Sequence, residues 1–95
     1  MSTAISVDYV VASGKKELER LRVIVDTNAR TVEGSAIVPD DDADVTFTLT
    51  PALAEAIRSG QLKVGVGFMR GSVKMSGNFG AVLDVLELLD RTPAL

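Results

Sequence analysis

Apolar and polar residues alternate along the first half of the chain. Ile5, Val7, Tyr9 and Val11 fall on one side of an extended segment, with Ser6 and Asp8 on the other, and this predicts a half-buried strand. Ser13–Gly14–Lys15–Lys16 is turn-like. Leu21, Val23 and Val25 then alternate with Arg20, Arg22 and Asp26, giving a second strand. Thr27–Asn28–Ala29 reads as a turn, since Asn tolerates left-handed backbone angles. Thr31 to Val38 resumes the pattern weakly, and Gly34 inside it marks a bulge or a close backbone approach. Short connections between three strands imply an antiparallel meander.

Pro39–Asp40–Asp41–Asp42–Ala43–Asp44 breaks the alternation and predicts an exposed loop. Val45, Phe47 and Leu49 then alternate with Thr46, Thr48 and Thr50, one face apolar and the other β-branched and hydroxylated. This strand runs into a helix start: Thr50 can cap, Pro51 suits the first helical position, and Gly60 closes the segment. Leu53, Ala54 and Ile57 form its apolar stripe. From Gln61 to Arg70 the pattern is ambiguous. Leu62, Val64, Val66 and Phe68 alternate as in a strand, while Gly65 and Gly67 weaken strand and helix alike. Ser72 to Ser76 predicts a short strand with Val73 and Met75 inward and Lys74 outward. Gly77 breaks it, Asn78 caps, and a helix runs from about Phe79 to Asp90, stopped by Arg91 and Pro93. Phe79, Val82, Leu83, Leu86 and Leu89 make its core stripe; Ala81, Val85 and Leu88 widen it. Asp84, Glu87 and Arg91 leave a narrow polar strip. Such a helix is either buried between a sheet and a partner subunit, or has an extra apolar face that lines a cavity.

Composition narrows the chemistry. The 95 residues suit one domain, 1–95, and the hydrophobic share of 46% against 4% aromatic means that aliphatic side chains fill the core. The chain has neither cysteine nor histidine. A disulfide framework, a thiolate metal site and any Ser–His or Cys–His nucleophile pair are thereby excluded, and no cofactor is implied. Net charge is −3 and the basic residues are scattered, which argues against nucleic acid as a partner. The opening residues lack the pattern of a secretory signal, and the apolar runs are far shorter than the roughly 20 residues that cross a bilayer, so stable membrane insertion is not expected and the cytoplasm is the default compartment.

Three constellations invite a chemical reading, and each fails on its own residues. Asp40, Asp42 and Asp44 match the first three ligand positions of a calcium loop, but Val45 stands where glycine is needed and Pro51 where a bidentate glutamate is needed. Gly65, Gly67 and Gly71 lack the spacing and the following βα unit of a dinucleotide loop. Ser72, Lys74 and Ser76 share a strand face, yet nothing in the pattern desolvates Lys74 as a Ser–Lys pair requires. No catalytic set remains, and an enzyme is not expected.

The order of elements from Asp44 onward, with the segment Phe68–Met69–Arg70–Gly71–Ser72–Val73–Lys74–Met75–Ser76–Gly77–Asn78, resembles the sterol carrier protein type 2 family. That segment is similar to the family's signature Phe-x-x-Gly-x-(Leu/Val)-Lys-(Ile/Val/Met)-x-Gly-(Asn/Asp), and the spacing from Gly60 to Gly71 also fits. The resemblance is specific over residues 44–89 and suggests a short single-domain member. It implies an α+β fold: a five-stranded, mainly antiparallel sheet with helices packed on one face and an apolar tunnel between them. It further implies that Val64 to Met69 is a short helix over the tunnel, against the strand that alternation favours. By the same resemblance Phe68, Met69, Met75, Phe79, Val82, Leu83 and Leu86 line or close the tunnel, and the partner is a hydrophobic small molecule such as a fatty acyl chain or a sterol-like lipid. Members of the family carry helices before the first strand, whereas this chain enters its first strand by about Ala4. The cavity is then open, small, or covered by a second subunit. The alternative function is an oligomerisation or interaction module of the same fold, a homodimer included, with the tunnel filled.

Overall fold

The computed structural model describes residues 4–35 and 43–91. Strand β1 (Ala4–Ser13) is followed by β2 (Lys16–Asp26), β3 (Thr31–Ser35) and β4 (Val45–Leu49), then helices α1 (Pro51–Arg58) and α2 (Val64–Met69), strand β5 (Lys74–Gly77) and helix α3 (Phe79–Arg91). The expected meander is present: β1 pairs antiparallel with β2, and β2 with β3. On its other edge β1 pairs with β4 in parallel, and β4 pairs antiparallel with β5, so the sheet order is β3-β2-β1-β4-β5. The sheet is therefore mixed but mostly antiparallel, and the fold is α+β as expected.

Register explains the core. Val7 lies opposite Val23 on one side and Val45 on the other, Tyr9 beside Phe47, and Val11 beside Leu49. The same alternation thus puts one set of side chains on a common face, where these seven are buried and Ile5, Leu21, Val32 and Met75 are partly buried against them. The helices cover that face with Ala54 and Ile57 of α1, Val64 of α2, and Ala81, Val82, Val85, Leu86, Leu88 and Leu89 of α3. Burying each Val, Leu or Phe contributes about 1.5–3 kcal/mol. Val73 is buried and Met75 half-buried ahead of and within β5, with Lys74 exposed, as their alternation predicts.

The caps follow their residue types. Thr50 Oγ1 accepts from the Leu53 amide at 3.2 Å with Pro51 opening α1, and Asn78 Oδ1 accepts from the Gly80 amide at 2.9 Å at the start of α3. Pro93, the expected stop after α3, lies outside the described residues, as do residues 36–42 with Pro39, Asp40, Asp41 and Asp42.

Three local expectations are corrected. Gly34 sits in regular register opposite Val23 with open space where a Cβ would stand, so it marks no bulge; the irregularity falls instead between Val11 and Ala12 of β1. The turn between β2 and β3 takes its left-handed residue at Arg30 (φ 59°), not Asn28. Asp26 Oδ1 closes that turn by accepting from the amides of Asn28 at 3.0 Å and Ala29 at 2.9 Å. Asp8 does lie on the face away from the helices, yet it is fully buried. Arg22, directly opposite in register, donates to both of its oxygens, and Arg20 Nη1 adds a bond of 3.0 Å to Oδ2. A buried carboxylate is tolerable only when so paired, and the arginine stems themselves cover the sheet.

Candidate functional site

Helix α2 is the element that the alternation of Leu62, Val64, Val66 and Phe68 misplaces as a strand. As a helix it sends Val64 and Phe68, four residues apart, toward the interior, and leaves Val66 and Met69 outward at 40% and 80% exposure. Phe68 is its anchor. The ring meets Phe47 edge-on at 6.4 Å between centroids, and Phe47 in turn stacks on Tyr9 at 5.8 Å, so an aromatic file runs from the central strand into α2.

The two glycines of α2 permit its closeness to its neighbours. A Cβ at Gly65 would stand 2.5 Å from Asp90 Oδ2 and one at Gly67 would stand 2.7 Å from Val73 Cγ2. No side chain caps α2 from its own N-terminus; the Gly65 amide donates instead to Asp90 Oδ1, at 3.0 Å, from the end of α3. The charge of Asp90 is felt further in. Burial first, and the Asp90 carboxylate second, hold the Tyr9 phenol well above the ordinary tyrosine range.

Between α2 and α3 lies a groove of about 500 Å³, lined by Gly65, Val66, Met69 and Arg70 on one wall and by Leu86 and Asp90 on the other. Its volume falls within the range of small-molecule sites, about 300–1,000 Å³. Along α3, Phe79, Leu83, Leu86 and Asp90 are spaced four, three and four residues apart and form one stripe. Phe79 and Leu83 are 69% and 74% exposed, so these two stand clear of the core, whereas Leu86 on the same stripe is buried as well as lining the groove. The core stripe expected for α3 is corrected accordingly: Phe79 and Leu83 stand outside it, and Ala81, Val85 and Leu88 join Val82, Leu86 and Leu89 within it.

The structure brings together two of the seven residues expected at the site, Met69 and Leu86, as groove walls. Phe79 and Leu83 lie on the same stripe outside it. Phe68 and Met75 are half-buried against the core, and Val82 is fully buried under α3. Val66, Arg70 and Asp90 also line the groove and escaped the sequence reading. Helical spacing from Val66 to Met69 and Arg70 would have found the first two once α2 was taken as a helix. Ser72, ahead of β5, and Lys74 and Ser76 within it are all exposed. Asp44 is occupied structurally: its Oδ2 accepts from the Ser6 amide at 3.0 Å while its own amide donates to Ser6 Oγ at 2.9 Å.

A mixed five-stranded sheet with three helices on one face defines a two-layer α+β domain. The chain belongs to the SCP-2 sterol transfer family, whose model matches residues 10–90. Among solved structures, the sterol carrier protein domain 2 of Helicoverpa armigera is 20% identical, with a TM-score of 0.57 over 92% of this chain and 67% of that one. The palmitated sterol carrier protein 2 like 2 of Aedes aegypti is 20% identical, with a TM-score of 0.54 over 90% of this chain and 71% of that one. An inverting sec-alkylsulfatase from a Pseudomonas species is 22% identical, with a TM-score of 0.50 over 93% of this chain but 13% of that one. At these identities the likeness is one of fold. No curated protein matches the chain significantly. No helix among the described residues is long and apolar enough to cross a membrane.

Proposed function

We propose that the protein is a non-enzymatic carrier that binds the apolar tail of a fatty acyl or sterol-like lipid in the groove between α2 and α3. The observation that carries this reading is the groove itself, walled by the exposed apolar Val66 and Met69 and by Leu86, with Phe79 and Leu83 exposed further along α3. Exposed apolar side chains beside a groove are a common mark of a binding surface. Family membership supports the reading, as does the palmitate held by the Aedes aegypti relative. Each methylene of a tail laid in the groove would gain about 0.8 kcal/mol when fully buried, so affinity comes from the tail and the walls need few polar groups. The tunnel follows as an inward continuation of the groove, past Phe68 and Leu86 toward Met75 and Val82.

The test is native mass spectrometry of the purified protein with displacement of a fluorescent fatty acid. A co-purified lipid or micromolar displacement by an acyl or sterol ligand is expected. Absence of both, across acyl and sterol probes, overturns the reading.

The same exposed side chains favour a second reading, an interaction module whose partner is another copy of the chain. Leu83→Asp separates the two, since Leu83 is 74% exposed and its replacement leaves the core intact. A dimer in sedimentation that this variant dissociates supports the module. A monomer at all concentrations, with fatty-acid displacement weakened by the variant, supports the carrier.

A further inference from the structure

Six arginines are distributed over the chain, and five of them are committed to carboxylates. Arg20 and Arg22 bind Asp8, Arg20 also binds Glu17, Arg30 and Arg91 share Glu87, and Arg58 binds Glu19. Among the described residues the guanidinium of Arg70 has no ion pair and no hydrogen bond. It is also the arginine that lines the groove, on the same wall as Val66 and Met69. The other charge on the groove, Asp90, is engaged by the Gly65 amide at the opposite end of α2, about 7.5 Å of helix away. The groove is therefore polarised: its carboxylate end is tied into the fold, and its cationic end is uncommitted.

We propose that Arg70 is the head-group residue of this site and makes the protein selective for single-chain amphiphiles with a carboxylate head over neutral lipids of the same length. This rests on the carrier reading above and adds the chemistry of the ligand's polar end. The tail lies against Val66, Met69 and Leu86 and continues toward the exposed Leu83 and Phe79. The carboxylate then reaches the forked donors of Arg70, whose planar geometry matches its two oxygens. A sterol or a long-chain alcohol fills the apolar part equally well but leaves the guanidinium to water. Because Arg70 is exposed, its contribution is that of a solvated pair: about fivefold in affinity, and reduced by salt.

The experiment measures dissociation constants of palmitate, hexadecanol and acetate for the full chain, for Arg70→Gln and for Arg70→Lys, at low and high sodium chloride. The expected result is a preference for palmitate over hexadecanol that Arg70→Gln reduces about fivefold, Arg70→Lys partly restores and salt erodes, with acetate alone not bound. Equal binding of palmitate and hexadecanol by the unaltered protein, or a preference that survives Arg70→Gln, overturns the assignment while leaving the carrier reading intact. Binding of acetate as tightly as palmitate overturns it as well, since the site would then be a simple anion site. Failure of both long-chain ligands to bind the unaltered protein overturns the assignment; the carrier reading falls with it only if a sterol probe also fails to bind.

Discussion

Gly77 and Asp44 meet where β5 hands over to α3. Gly77 holds φ at +106°, and a Cβ there would strike the carbonyl of Asp44, whose oxygen accepts from the Asn78 amide at 2.8 Å. Both the backbone angle and the contact demand glycine, and the obstacle is main chain that cannot rotate away. Gly77→Ala is expected to cost about 2 kcal/mol or more in denaturant unfolding. Gly34→Ala, in regular strand register with open space around it, is expected to stay within about 0.5 kcal/mol. Sequence already points to a break at Gly77. It does not separate the two glycines, because the difference lies in a neighbour 33 positions away, as 77 less 44 gives.

Helix α2 depends on its neighbours more than on its own residues. Six residues with two glycines cannot sustain a helix alone, and its order is supplied by Asp90, Val73 and Phe47. Asp90→Ala removes the acceptor of the Gly65 amide, and is expected to cost about 1 kcal/mol and to speed hydrogen exchange across 64–69; Asp90→Asn, which keeps an acceptor oxygen, is expected to cost less. This is also why alternation fails here while it succeeds for β1, β2 and β4. In those strands a period of two reflects a real inner and outer face. In α2 the inward residues Val64 and Phe68 are joined by an outward Val66 that mimics the strand pattern. The candidate site shares the difficulty. Met69 and Leu86 were legible as apolar and near a family motif, but whether Phe79 and Leu83 face the sheet or the solvent depends on what packs over α3, which periodicity does not encode.

At the level of the whole molecule, Tyr9 ties stability to alkaline pH. It is the chain's one tyrosine, 2% exposed, with its ionisation held above the ordinary value of about 10. Because the folded state raises this group, its contribution is complete below pH 10. It is lost as pH climbs above 10, where the unfolded chain releases the proton and the folded one retains it. Phenolate absorbance is therefore expected to rise together with loss of tertiary structure, and Tyr9→Phe to move the alkaline transition upward; a phenolate that appears in the intact fold would refute this. The parallel pairing of β1 with β4 has a consequence in time. Val7 meets Val23 within a local hairpin, but its other neighbour is Val45, 38 positions on by subtraction. The meander can form early, whereas the central strand keeps a bare edge until β4 docks, and its Val7–Tyr9–Val11 face stays uncovered until the helices that follow β4 are synthesised and pack on it. During that interval the nascent chain displays an apolar β-surface, so a truncation before residue 45 is a natural client for chaperones and a seed for aggregation.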